Sequence, residues 1–239
     1  MKKLFIFVLF LSSIHAKSAT KNMEPEFIAI EHASFVIRAG GVTIFVDPVG
    51  NLQQYDGLGS PDIILYTHEH GDHLNTQLLK ALKNEKTKVI GTPTVIEKNG
   101  FGIKIKNNEK LKIGKLKIES IPAYNTSPDR LKYHPKGIGN GYILTIVGKR
   151  IYISGDTEDT QDMRALKKID YAFVCMNLPY TMGVEQAASA ILDIKPTNVF
   201  PYHFRNQDKT YSDIFGQLKN LLSKNMDIKI HYLNWYKTK

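Results

Sequence analysis

The sequence predicts an α/β fold with two sheets packed face to face and helices on the outside. Three observations carry that expectation. Short β-branched and aromatic runs give way to helical periodicity, and the same progression occurs a second time. No low-complexity linker or short-period repeat divides the two halves. With 239 residues, 42% of them hydrophobic, the chain can fill one sizeable domain.

In the first half, residues 27–30, 35–38 and 42–46 read as consecutive strands, with Gly40-Gly41 as a tight hairpin turn between the last two. Residues 49–61 are Gly-rich and polar, a loop leading to the apolar strand 63–67. Leu74, Leu78, Leu79 and Leu82 recur at helical spacing. A short strand at 88–90 and a helix at 93–98 follow. The second half places strands at 116–121, 142–147 and 151–154, a helix at 162–168 and a strand at 171–176. An amphipathic helix spans 184–192, with Thr181 as its N-cap. A strand at 198–201, a helix at 211–222 and a last strand at 228–232 close the series.

The N-terminus is a separate case. Lys2-Lys3 precede the unbroken apolar run 4–11, then Ser12-Ser13-Ile14-His15-Ala16. This is a positive n-region, an h-region too short to span a bilayer, and a small residue at a cleavage point. Residues 1–16 are therefore expected to be a secretory signal and 17–239 the functional domain, secreted or periplasmic, with no stable membrane insertion after cleavage. No cysteine follows the h-region, which argues against a lipoprotein anchor. The one cysteine, Cys175, lies in an apolar run and reads as a small buried hydrophobe rather than part of a disulfide scaffold.

Lysine and arginine outnumber aspartate and glutamate by 9. The lysines are dispersed, without an aromatic-basic stripe. A basic surface attracts anionic substrates in general and does not by itself specify nucleic acid.

The strand at 63–67 runs into His68-Glu69-His70-Gly71-Asp72-His73. Three imidazoles and a carboxylate on one turn would cost desolvation if buried and gain nothing if exposed, unless they hold a cation. Neutral imidazole and ionised carboxylate are the first-choice ligands of zinc and similar divalent ions. A helix would point His70 and Asp72 apart; a loop leaving a strand end lets them converge.

This stretch resembles the signature of the metallo-β-lactamase superfamily, and the resemblance runs over about residues 26 to 234. Asp47-Pro48 closes the strand at 42–46, Ser154-Gly155-Asp156-Thr157 closes that at 151–154, and Pro201-Tyr202-His203-Phe204 follows that at 198–201, in the superfamily's order. Within it the chain is most similar to the lactonase-like and phosphodiesterase-like branch, which includes the ascorbate-6-phosphate lactonases. The stretches carrying that similarity are His32-Ala33-Ser34-Phe35, Pro122-Ala123-Tyr124-Asn125, His134-Pro135-Lys136-Gly137 and Pro179-Tyr180-Thr181-Met182.

The resemblance implies the four-layer αββα sandwich of the metallo-β-lactamase fold, with metals at one edge between the sheets. It implies that His68 and His70 hold one metal and that Asp72 and His73 hold a second. Asp156 would bridge the two, and His203 would complete the second site. Two divalent ions are expected, zinc first, with manganese or iron also suited to such ligands. Such a pair shares a hydroxide made available near neutral pH, and Asp72 would orient it as the catalytic residue. Glu69 is expected to support a ligand imidazole or lie in solvent, and Asp47 to hydrogen-bond the metal loop. His32 and His231 read as structural, and Tyr180 and Tyr202 as packing residues.

One departure stands out. The superfamily usually supplies a histidine to the first metal from the loop after the strand at 116–121, where this chain has Pro122-Ala123-Tyr124-Asn125. Asn125, His134 and water compete for that place. The expectation is that His134 approaches the metals as ligand or substrate contact, with Asn125 hydrogen-bonding behind it and Lys136 available to an anionic substrate.

The leading expectation is an exported metal-dependent hydrolase acting on a small-molecule ester, lactone or phosphoester. One rival is a nucleic-acid phosphodiesterase, which would want a basic, aromatic exosite module that this length leaves no room for. Another is a metal-binding protein without turnover, which would have no need of Asp72. Export is open to a direct check: the mature protein should begin close after Ala16 and fractionate outside the cytoplasm. An intact mass retaining Met1 on cytoplasmic protein would contradict it.

Overall fold

A computed structural model describes residues 24–205, 213–224 and 227–236; the expected signal segment lies outside the described residues. The first sheet has the spatial order β1 (Glu26–Glu31), β2 (Ser34–Ala39), β3 (Val42–Val46), β4 (Ile63–Leu65), β5 (Lys88–Gly91) and β6 (Ile103–Lys104). Its first three strands are antiparallel and the rest parallel. Helices α1 (Thr76–Leu82) and α2 (Pro93–Asn99) supply the crossovers that parallel neighbours require. The second sheet contains β7 (Lys110–Ile113), β8 (Leu116–Ala123), β9 (Gly139–Ile146), β10 (Lys149–Ile153), β11 (Tyr171–Cys175), β12 (Asn198–Tyr202) and β13 (Lys229–Ile230), neighbouring one another in sequence order. Here β7 to β10 are antiparallel, and α3 (Gln161–Arg164), α4 (Val184–Ile194) and α5 (Ile214–Leu221) connect the parallel remainder.

Side-chain alternation assigns the layers. Phe35, Ile37, Ile44, Val46, Ile63, Leu65 and Ile90 point from the first sheet toward the second and join one core with Tyr142, Leu144, Ile153 and Phe173. The rings of Phe35 and Phe173 stack across the interface with centroids 4.3 Å apart. The out-of-phase set, Val36, Phe45, Ile64 and Val89, faces the other way and packs with Leu78 and Leu79 of α1 and Val95 and Ile96 of α2. A one-residue slip in any strand would exchange these faces, so burial on both sides fixes the register.

Several element boundaries differ from the expectations. Strand β4 ends at Leu65 because the next amide but one, that of Thr67, bonds the Asp47 carboxylate instead of continuing the ladder. The loop 49–61 contains a short 3-10 turn, Leu52–Tyr55. Strands β6 and β7 were not expected; β7 reads Lys-Leu-Lys-Ile on the sheet edge, where lysines block further pairing. Helix α3 covers four residues rather than 162–168, with Lys168 already in the left-handed region at φ 57°. Gly183, not Thr181, is the N-cap of α4; the Thr181 hydroxyl instead accepts the Asn177 N–H.

The loops leaving the carboxyl ends of β3, β4, β8, β10 and β12 converge at one edge between the sheets, the usual place for ligands in such sheets. The loop after β8, 124–138, has little secondary structure and is tied down by one buried carboxylate. Glu158 Oε2 accepts the N–H groups of Thr126 and Ser127, each at 2.6 Å. Its Oε1 accepts the Ser127 hydroxyl and the Arg130 guanidinium, each at 2.7 Å. Burial pushes the Glu158 carboxyl up, but the Ser127 and Thr126 donors outweigh it and hold its pKa down to about 2. A depressed carboxyl stabilises the fold above its ordinary value of 4.5, and that contribution is lost as pH falls toward 2.

Glu158→Gln leaves buried donors without acceptors and is expected to lower unfolding free energy by about 1–3 kcal/mol, read by chemical denaturation at pH 7. The gap to wild type should shrink as pH drops below 4.5. An equal gap at pH 7 and pH 3 would contradict the assignment.

Candidate metal centre

Asp47 organises the turn that carries the histidines. It sits at the end of β3 with φ 42°, an uncommon backbone for a non-glycine residue. Its Oδ1 accepts the Thr67 N–H at 2.7 Å and its Oδ2 accepts the Thr67 hydroxyl at 2.6 Å. Oδ2 also accepts His73 Nδ1–H at 2.8 Å. That leaves the His73 Nε2 lone pair facing His203 Nε2 at 3.0 Å and Asp156 Oδ1 at 3.3 Å.

The same reasoning orients two more rings. The Thr67 hydroxyl proton is committed to Asp47, so its oxygen accepts from His68 Nδ1 at 3.0 Å. His68 Nε2 then points inward, 3.1 Å from His70 Nδ1. His134 donates Nδ1–H to the Tyr180 carbonyl at 3.1 Å and turns Nε2 to within 3.3 Å of Asp156 Oδ2. Asp156 reaches this centre through Gly155, which has φ 62° and where a Cβ would lie 2.7 Å from the Asn140 carbonyl oxygen. Only glycine fits that turn.

The potential ligand atoms form three groups, each within 4.8 Å: His68, His70 and His134; His68, His73 and Asp156; and His32, Asp72 and His203. All seven residues expected from the sequence, His68, His70, Asp72, His73, His134, Asp156 and His203, meet at this edge. The partition differs from the expected one, because Asp72 lies beside His32 and His203 rather than beside His73. Asp72 Oδ2 is 3.4 Å from His32 Nε2 and 3.5 Å from His203 Nε2.

The donor set suits divalent cations. His134 Nε2 and Asp156 Oδ1 are buried without a hydrogen-bond partner, a state that calls for an explanation. Burial pushes His68, His70 and His32 below the ordinary histidine value, His32 to about 3, and so favours the neutral, ligating form. Asp72 and Asp156 stay ionised: burial opposes this, but His203 and His32 together outweigh it at Asp72, and His203, His73 and His134 together at Asp156. His73 alone is held above its ordinary value, since Asp156 and Asp47 overcome its burial; a cation there would take the place of its proton.

The remaining expectations fall on either side. Glu69 does not support a ligand ring: its Oε2 accepts the Thr94 hydroxyl at 3.0 Å, toward α2. Asn125 lies behind His134, its N–H bonded to the His134 carbonyl at 2.8 Å and its Nδ2 to that of Tyr180 at 2.7 Å. Lys136 covers the Tyr124 ring at 4.9 Å. Cys175 is buried, its thiol pushed up to about 12 by burial and next by Asp156. His231 bonds Asn198 Oδ1 at 2.8 Å, and Tyr202 is fully buried. Thr67 and Glu158 were not among the expected site residues, whereas His32, expected as a structural hydrogen-bonding histidine, bonds the Tyr236 hydroxyl at 3.0 Å. No local pattern marks them; their roles arise from residues far away in the chain.

A cavity of about 230 Å³ opens on the first histidine group. The rings of His68, His70 and His134 line one side, and Tyr133, Ile138 and Lys132 another.

Comparisons with known proteins identify the family. Residues 27–203 match the family model described as "Beta-lactamase superfamily domain". A metal-dependent hydrolase of Pyrococcus furiosus is 35% identical over 191 residues, 72% of this chain and 81% of that one. Another, of Thermodesulfovibrio yellowstonii, is 30% identical over 235 residues, 85% of this chain and 86% of that one. Among solved structures, a protein from Parabacteroides distasonis described as a metal-dependent hydrolase is 38% identical with a TM-score of 0.79, covering 90% of this chain and all of that one. A metallo hydrolase of Ignicoccus hospitalis, at 22% identity and a TM-score of 0.73, shares the fold over 90% of this chain and 99% of that one. The chain is thus a metal-dependent hydrolase, and it belongs to the metallo-β-lactamase superfamily.

Proposed function

We propose that this protein is an exported, binuclear hydrolase of small anionic substrates, an ester, lactone or phosphoester, most akin to the lactonase-like branch. One observation carries the reading: three groups of potential metal donors lie side by side, two of them sharing His68, and the first opens onto a cavity sized for a small molecule and bordered by a lysine. The cavity suits a compact substrate better than a nucleic-acid strand, which needs an extended groove with stacking platforms.

Zinc, or manganese or iron, bound here would supply a nucleophile from water near pH 7 and polarise the oxygen of the bond to be cleaved. The protein's own groups do the rest. Asp47 and Thr67 fix the tautomers of His73 and His68, so that both present lone pairs without reorganisation. Asp156 lies between His73 and His134 and has an oxygen for each side. Asp72, with its side chain 44% exposed, is the carboxylate best placed to meet solvent and substrate together. Tyr133 and Ile138 give an apolar wall, and Lys132 attracts a negative group to the cavity mouth. Export rests on the n-region and h-region of residues 1–16.

Three outcomes are expected. Elemental analysis of protein from metal-supplemented medium should find close to two divalent ions per chain; none bound would sink the binuclear reading. Chelation should abolish cleavage in a panel of chromogenic phosphodiesters, lactones and β-lactams, with zinc restoring it, and the β-lactams should be the poorest substrates. Asp72→Ala should lower kcat by about 100-fold or more while leaving the unfolding midpoint near wild type. An unaltered kcat would remove Asp72 from the chemistry.

A further inference from the structure

His32 occupies the tight turn between β1 and β2, buried, with a left-handed φ of 54°. A turn there would be better served by Gly or Asn, so a histidine held in this backbone points to a role for its ring. The ring lies against that of His203, centroids 3.9 Å apart, with Nε2 3.4 Å from Asp72 Oδ2 and Nδ1 3.0 Å from the Tyr236 hydroxyl.

The direction of these contacts follows from one fixed donor and one fixed acceptor. The backbone N–H of Phe204 can only donate, and it does so to the Tyr236 hydroxyl oxygen at 3.0 Å. The Asp72 carboxylate can only accept, so the neutral His32 ring turns Nε2–H to it and leaves Nδ1 to accept the Tyr236 hydroxyl proton. An imidazole accepting at Nδ1 carries its proton on Nε2, aimed at Asp72 Oδ2. Tyr236 is itself held by its neighbour: Trp235 is fully buried, donates Nε1–H to the Pro201 carbonyl at 2.8 Å, and accepts the His32 N–H at its own carbonyl.

We infer that Tyr236 and His32 are positioning residues for Asp72, with Tyr236 fixing the tautomer of His32 and His32 holding the Asp72 carboxylate beside His203. This rests on the binuclear reading above. It makes the C-terminal segment part of the metal centre and gives His32 the role of a hydrogen-bond donor rather than a metal ligand. Asp72 needs such a hold because it stands half-exposed on an open loop, where a carboxylate has rotamer freedom to lose before it can ligate.

The test is a zinc titration against a chromogenic chelator, on the full chain, for wild type, His32→Ala, His32→Gln and Tyr236→Phe. Fluorescence of Trp235, the only tryptophan, reports the fold of each variant next to the substitution. All four proteins should bind two ions at saturation. His32→Ala should weaken the less tightly held ion by about 10–100-fold, the usual cost of losing a residue that orients a ligand. His32→Gln, whose amide N–H can reach the same oxygen, should recover most of that affinity, and Tyr236→Phe should show a smaller loss than His32→Ala. Saturation at one ion in both His32 variants would make His32 a ligand and overturn the inference, as would unchanged affinity in His32→Ala. Wild-type protein that binds no zinc would overturn the binuclear reading together with this one.

Discussion

The buried carboxylate of Asp47 is the constraint on which the site depends. It joins the ends of β3 and β4 where their ladder stops, accepting the Thr67 amide and hydroxyl and His73 Nδ1–H. A carboxylate with no exposed surface costs several kcal/mol of desolvation unless each lone pair is used. Here its acceptors meet three donors, and those donors set which nitrogen of His73, and through Thr67 of His68, is left for metal. Tautomer choice, normally free in a solvated imidazole, is thereby decided by the fold.

The same logic recurs around the rim. The Tyr180 carbonyl sets the tautomer of His134, and Tyr236 sets that of His32. Thr67 aside, each orienting group comes from an element other than that of the ring it orients. Glu158, two residues after Asp156, holds the loop that delivers His134, so one strand end both supplies a metal donor and anchors the loop bearing another. Left-handed backbone at His32, Asp47 and His203 concentrates strain at the site, where close packing between two sheets can sustain it.

Much of the fold was legible in the sequence because the central strands of both sheets are buried on two faces. Strands such as Val42–Val46 and Tyr171–Cys175 therefore read as near-continuous apolar runs, and their connecting helices as separate periodic segments. The elements that escaped were short or lysine-bearing edges, β6 and β7, whose pairing is chosen by their neighbours rather than by their own residues. The misplaced cap at Thr181 has a similar cause: its hydroxyl has two candidate backbone partners, and the turn at Asn177 takes it.

For the site, the local sequence by itself determined the ligand types. His68 to His73 crowd onto one turn at a strand end, where imidazole and carboxylate can converge. The Gly155-Asp156 and His203 positions were legible because each follows a strand, and a strand end is a fixed place in a layered fold. What only the tertiary structure decided is which potential donors lie together and which nitrogen each turns toward the others. His134 joins His68 and His70 through a loop held by Glu158, and Asp72 lies with His32 and His203 across the sheet interface. These outcomes depend on hydrogen bonds between residues up to 204 positions apart, as between His32 and Tyr236. Contacts of that kind leave no periodicity or spacing in the chain, since they exist only once the two sheets have closed on each other.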